Sequence, residues 1–179
     1  MNRKTREVDM EAKLHSKMDV RTGDPVLDHL LRTLFFYMEI PVEVTVRSWD
    51  LKHHLWEDMG ILIGRLLRNE FVENRNIARF GNCIIPMDDA LVVVSVDVSS
   101  RPFLNFDVDF VEKEEGFELA LMREFLMGLT RGLGMTLHVK KMAGSNAHHL
   151  SEAVFKGLGK ALKEALGEGK RLESTKGEL

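Results

Sequence analysis

Apolar residues recur at helical spacing from Leu27 to Met38 and again from His54 to about Leu67, where Leu55, Met59, Leu62, Ile63, Leu66 and Leu67 share one side. Each stripe predicts an amphipathic helix. Asp24 followed by Pro25 reads as the N-cap and first residue of the earlier helix, after a turn at Thr22-Gly23, and Pro41 ends it. Val42, Val44 and Val46 then alternate with polar residues as a half-buried strand, and residues 6–14 alternate more weakly as another. The middle of the chain changes character. Three β-rich runs, 77–85, 90–98 and 103–110, are separated by turn residues at 86–89 and 100–102. Further on, helices are predicted over about 117–133 and 147–166, with a strand at 135–140 between them. The polar run from Gly167 is expected to be irregular.

A chain of 179 residues has room for one core of ordinary size, and 44% hydrophobic with 30% charged residues is a globular balance. The net charge of −3 provides no basic field for nucleic acid. The charged N-terminus has no signal-like apolar region, and no stretch reaches the ~18 apolar residues of a membrane span, so a cytoplasmic protein is expected. Cys83 stands alone. That excludes an intramolecular disulfide and a multi-cysteine zinc site, so metal ligands would have to be His, Asp or Glu.

Sliding the sequence against itself by 95 residues produces an ungapped match in which residues 53–67 lie over 148–162 with six of fifteen positions identical. His53, His54 and Glu57 fall over His148, His149 and Glu152. The same offset lays the helix at 27–38 over 122–133 and the strand at 42–46 over 137–141. One domain over 1–179 is therefore expected, built from two pseudo-repeats, about 1–85 and about 86–179, each an α+β module.

Each copy of HHxxE places its glutamate one helical turn beyond the histidines, where an imidazole and a carboxylate can share a divalent cation. A single copy is more often a helix start whose acidic residue complements the positive end of the helix. Two copies at equivalent positions, in a chain with only seven histidines, favour metal binding. His29 on the first helix and His138, which interrupts an apolar alternation, extend the ligand set to six histidines and two glutamates. Two sites of three histidines and one glutamate each would use them all. His29, His53, His54 and Glu57 lie in one module and His138, His148, His149 and Glu152 in the other, so two complete sites are expected to need ligands from both modules.

Beyond the histidines, short segments in fixed order span nearly the whole chain: Arg3-x-Thr5-x-Glu7, Leu27-Asp28-His29, His53-His54-x-x-Glu57-Asp58, Arg79-Phe80-Gly81, Asp97-x-Ser99-x-Arg101-Pro102, Asn146-x-His148-His149-x-x-Glu152, and a tail with Ser174, Lys176 and Gly177. This set resembles the imidazoleglycerol-phosphate dehydratase family. The resemblance implies an α+β fold of duplicated modules, two four-stranded sheets with helices between them, and a 24-mer with active sites between subunits holding two Mn²⁺ ions. It also implies removal of water from D-erythro-imidazoleglycerol phosphate to give imidazole-acetol phosphate, a step of histidine biosynthesis. By the same resemblance Glu7 and Glu152 are the proton-transfer candidates, with Glu7 also a substrate contact, and Arg79, Arg101, Lys156, Ser174 and Lys176 are the phosphate-binding positions.

The chemistry has a physical rationale. No carbonyl acidifies the hydrogen to be removed, so the imidazole must act as the electron sink. Cations on its two nitrogens would favour an imidazolate able to expel hydroxide while a carboxylate moves the proton. The chain departs from the family pattern at Leu51, Lys52 and Leu55 around the first histidine pair, at Thr33 where a glutamine is usual, and at Ser100 where a glycine is usual. None of these is a metal ligand. Two other readings remain open from sequence: a metal-dependent lyase or hydrolase acting on a related phosphorylated azole, and a non-catalytic oligomer stabilised by metal.

Overall fold

The charged N-terminus, which carries no strand signal in the sequence, forms the edge of a sheet. In the computed structural model, which describes residues 1–73, 75–110, 112, 114–171, 173 and 174, β1 (Asn2–Lys4) pairs antiparallel with β2 (Val8–Leu14). β2 pairs antiparallel with β4 (Val42–Trp49), and β3 (Asp19–Arg21) lies parallel to β4 on its other side. β1 and β3 are three residues each, too short to show a period, which is why the sequence pattern misses them. α1 (Pro25–Met38) and α2 (Lys52–Leu67) complete this half, followed by a π-helical turn, Arg68–Val72.

The second half repeats the plan with β5 (Phe80–Met87), β6 (Ala90–Val98), β7 (Phe103–Asp107), α3 (Leu119–Leu133), β8 (Met135–Ala143) and α4 (Ala147–Ala165). Its strand order is β5-β6-β8-β7, the counterpart of β1-β2-β4-β3. β5 straddles residue 86 and belongs wholly to the second sheet. The run at 103–110 is strand only to Asp107, and β8 separates it from β6. That insertion follows from burial: alternate residues of β8, Met135, Leu137 and Val139, are fully buried, which suits a central strand.

Each sheet covers its inner face with helices, and the helices pack on one another as α1 with α4 and α2 with α3. The expected α+β architecture, two four-stranded sheets with helices between them, is the one observed. Glycines set the helix spacing. A Cβ on Gly60 would lie 2.1 Å from the Phe125 carbonyl oxygen, and one on Gly128 would lie 2.3 Å from that of Glu57. Likewise a Cβ on Gly159 would approach the Leu34 carbonyl oxygen to 2.5 Å, so α1 and α4 run backbone to backbone. At the start of α1, Asp24 caps with one carboxylate oxygen, accepting from Val26 N at 3.0 Å, and accepts from Trp56 Nε1 at 2.9 Å with the other. The cap thereby ties α1 to α2. Among the described residues no helix is long and apolar enough to cross a membrane.

Candidate active site

Asn146 caps α4, its side chain accepting from His149 N at 3.0 Å, so both histidines of the second pair fall in the first helical turn. His148 Nε2 is 2.9 Å from Glu152 Oε1, one turn along the same helix. The close approach of α1 brings in a residue from the other half: His29 Nε2 is 2.7 Å from the same Oε1. These three side chains offer ligand atoms all within 4.8 Å of one another. Two imidazoles and a carboxylate make a donor set suited to a borderline divalent transition metal. Lys156 holds the other oxygen, with Nζ 2.6 Å from Glu152 Oε2. Burial alone would raise the Glu152 carboxyl, but Lys156, His29 and His148 together hold it down at about 2. It is an anion at neutral pH.

Of the ligands expected from both modules, the structure brings His29 of the first together with His148 and Glu152 of the second. His29 joins His148 and Glu152 because α1 packs on α4 rather than on α2. The ring of His148 also stacks on Phe117, with centroids 4.6 Å apart, which limits its rotation.

His149 points its Nδ1 at Asp89 Oδ1, 2.7 Å away in the turn between β5 and β6, and its Nε2 is 3.4 Å from Asp88 Oδ2. The matching histidine of the first pair, His54, has Nδ1 2.8 Å from Asp50 Oδ1 and Nε2 3.8 Å from Glu7 Oε1. Hydrogen bonding to Asp50 raises the pKa of His54, and hydrogen bonding to Asp89 raises that of His149. In return the His149 contact, aided by Ser145 N, lowers Asp89 to about 2. The motif Arg3-x-Thr5-x-Glu7 acquires a structural sense: Thr5 Oγ1 accepts from Glu7 N at 3.0 Å and Val8 N at 3.1 Å, shaping the turn that presents Glu7. Arg3 bonds to Asp58 on α2 through Nε at 2.7 Å.

Other members of the expected set lie elsewhere. His53 is exposed and packs on the His54 ring at 4.1 Å between centroids, while Glu57 Oε1 is taken by Arg131 Nη1 at 3.0 Å. His138 lies on the outer face of the second sheet, its Nδ1 3.2 Å from Asn105 Nδ2, away from the triad built on Glu152. Arg79 and Arg101 converge on Asp97: Arg79 makes a two-pronged contact at 2.7 and 3.1 Å, and Arg101 Nη2 approaches to 3.7 Å. Arg79 also donates to the Glu173 carbonyl, which places Ser174 next in line. Lys176 lies outside the described residues. Ser100 has φ 59°, a conformation that favours glycine, which accounts for the glycine usual at that position.

Sequence reasoning missed Asp50, Asp89 and Arg131, and left Asp97 without a role. Carboxylates one contact away from a histidine leave no signature in spacing, because Asp89 is 60 residues from His149. Asp50 lies only four residues before His54 but outside α2, which begins at Lys52, so helical spacing does not mark it either.

Comparisons with known proteins place the chain in a family. The family model described as imidazoleglycerol-phosphate dehydratase matches residues 22–162. The chain is 50% identical over 179 residues to imidazoleglycerol-phosphate dehydratase of Pyrococcus furiosus, covering all of both chains. It is 38% identical to that of Metallosphaera sedula, over 99% of this chain and 96% of the relative. The crystal structure of IGPD from Pyrococcus furiosus superposes with a TM-score of 0.96 at 50% identity and full coverage of both chains. That from Staphylococcus aureus gives 0.84 at 30% identity, covering 94% of this chain and 98% of the other. With a family model over most of its length and a full-length relative at half identity, the chain belongs to the imidazoleglycerol-phosphate dehydratase family, hydro-lyases acting on a phosphorylated imidazole in histidine biosynthesis.

Proposed function

We propose that this chain, in the cytoplasm, dehydrates imidazoleglycerol phosphate at a site holding two divalent ions, Mn²⁺ by preference, completed between subunits of a homo-oligomer, the 24-mer. The observation that carries the reading is the convergence of His29, His148 and Glu152 within 4.8 Å. His149, with Nδ1 engaged by Asp89, adds a fourth donor on the same helix. The other ion falls to His53, His54 and Glu57, for which Arg131 would have to release the carboxylate. His138 on an outer sheet face is supplied to a site by a neighbouring subunit, since within its own chain it faces away from the triad.

Divalent ions held by these residues would supply positive charge that lets the imidazole of the substrate accept electrons. The chain's own residues do the rest. Glu7, exposed beside His54, and Glu152, buried on α4 and doubling as a ligand, move the proton. Arg101, whose side chain is 65% exposed, offers an open fork for phosphate. Arg79 holds the Glu173 carbonyl, next to Ser174, and the family resemblance assigns Ser174 and Lys176 to the phosphate. Lys156, already on Glu152, adds a cation at the edge of the site.

The test is an assay of the Mn²⁺-loaded protein with imidazoleglycerol phosphate, with Glu7→Gln and His149→Ala as inactive variants. Mixed oligomers of the two should regain part of the activity if each site draws on two subunits. Verified mixed oligomers without activity would show instead that each site is built within one chain.

A further inference from the structure

The two halves share a strand order, which lets residues be equated through pairing partners rather than by sequence offset. Val42 of β4 pairs with Leu14, and its counterpart Leu137 of β8 pairs with Val96. The inner strands β2 and β6 are thus related by 82 residues, not the 95 that relate the helices. With that shift Glu7, immediately before β2, corresponds to Asp89, immediately before β6. Each of them meets the second histidine of its own pair, but on different ring atoms. Asp89 bonds to Nδ1 of His149 at 2.7 Å, whereas Glu7 faces Nε2 of His54 at 3.8 Å because Asp50 occupies Nδ1 at 2.8 Å.

We infer that Asp50 and Asp89 are positioning residues that hold His54 and His149 in the Nδ1–H tautomer with Nε2 turned outward as the ligand atom, and that Asp50, by taking this task in the first half, frees Glu7 for catalysis. The inference rests on the metal-site reading above. A carboxylate acceptor fixes both the tautomer and the ring angle, since the imidazole nitrogen that donates to it cannot also be the ligand. The anchoring of Asp89 fits such a role: its Oδ2 accepts from Ser145 N at 2.8 Å and from Asn146 N at 3.5 Å, leaving Oδ1 aimed at the ring. In Asp50 a single oxygen does both, Oδ1 accepting from Leu51 N at 2.6 Å while it faces the His54 ring. Through sequence alignment by 95, Asp50 falls over Ser145, so the two halves reach the same arrangement with carboxylates from unrelated positions.

The experiment compares Asp50→Asn, Asp89→Asn, Asp50→Glu, Asp89→Glu and Glu7→Gln in the full chain, measuring Mn²⁺ dissociation constants by chelator competition, the thermal midpoint of the metal-free protein, and turnover. An asparagine oxygen still accepts the backbone N–H groups but is no longer a carboxylate for the ring. Each Asn variant is expected to weaken Mn²⁺ binding about 10- to 100-fold while its metal-free form still unfolds in one cooperative transition, and each Glu variant to recover most of the loss. Glu7→Gln, at the position equivalent to Asp89, should keep wild-type Mn²⁺ affinity while losing turnover. Wild-type affinity in both Asn variants, no recovery in the Glu variants, or a Glu7→Gln protein that loses metal as Asp89→Asn does would each overturn the inference. His54→Ala and His149→Ala run alongside: if they lose metal and the Asn variants do not, only the positioning roles fail, and if they too retain metal, the metal-site reading fails with them.

Discussion

His29 Nε2 lies 2.7 Å from Glu152 Oε1 although 123 residues separate them, because α1 of the first half packs against α4 of the second. This contact makes the candidate centre a product of both halves. His29→Ala should therefore reduce the metal content of the fully loaded protein from two ions per subunit to roughly one, as should Glu152→Gln. Elemental analysis after loading at neutral pH reads this directly. Two ions retained in His29→Ala would remove His29 from the ligand set.

Metal occupancy should depend on pH in a defined direction. Hydrogen bonds donated to Asp50 and Asp89 raise His54 and His149 above the ordinary imidazole value of 6.5. A raised value favours the protonated, metal-free ring, and a ligand imidazole must be neutral. Protons consequently compete with metal already above 6.5, and Mn²⁺ titrations should give weaker apparent binding at about pH 6.5 than at about pH 8. Equal affinities at the two values would contradict this.

Stability of the metal-free protein combines two opposite dependences. Glu152 and Asp89 are held at about 2 in the fold, below their ordinary 4.5 and 3.8, so their contribution is in place above those values and is lost as pH falls toward 2. His54 and His149 are raised, so their contribution is full below 6.5 and is lost as pH rises through their folded values. The urea midpoint should peak between about pH 4.5 and 6.5. A midpoint that climbs steadily to pH 8 is the outcome that excludes this balance.

Gly128→Ala should destabilise the fold by about 1–3 kcal/mol. Its new methyl would meet the Glu57 carbonyl oxygen at 2.3 Å, and backbone cannot swing aside as a flexible side chain can. Chemical denaturation measures the loss, and a stability equal to that of the parent would mean that α2 and α3 separate at no cost.

Removing residues 173–179 should lower kcat/KM about 10- to 100-fold, the scale of one lost charge-assisted phosphate contact, while metal content stays the same. Arg79 reaches the Glu173 carbonyl and links this tail to the arginine cluster on Asp97. A truncated protein with full activity would make the tail contacts incidental.

Much of the architecture is written locally in the chain. The apolar stripes of α1 to α4, the Asp24-Pro25 start of α1 and the alternation of Val92, Val94, Val96 and Val98 each follow from side-chain period and capping, which act over a few residues. The repeated HHxxE was equally legible, since one helical turn fixes the distance between its members. Three-residue strands were not, because β1 and β3 exist only by pairing with neighbours.

Spacing along the chain marks the candidate side chains and arranges them in two sets. Tertiary structure decided how those sets are divided. His29 leaves its own half for Glu152, because glycine lets the α4 backbone reach α1, with a Gly159 Cβ only 2.5 Å from the Leu34 carbonyl oxygen. Asp89 comes to His149 across 60 residues, through a hairpin turn whose place is set by the β6–β8 register. Periodicity reports which face of an element is apolar, whereas the partner that covers that face is chosen by packing between elements far apart in the chain.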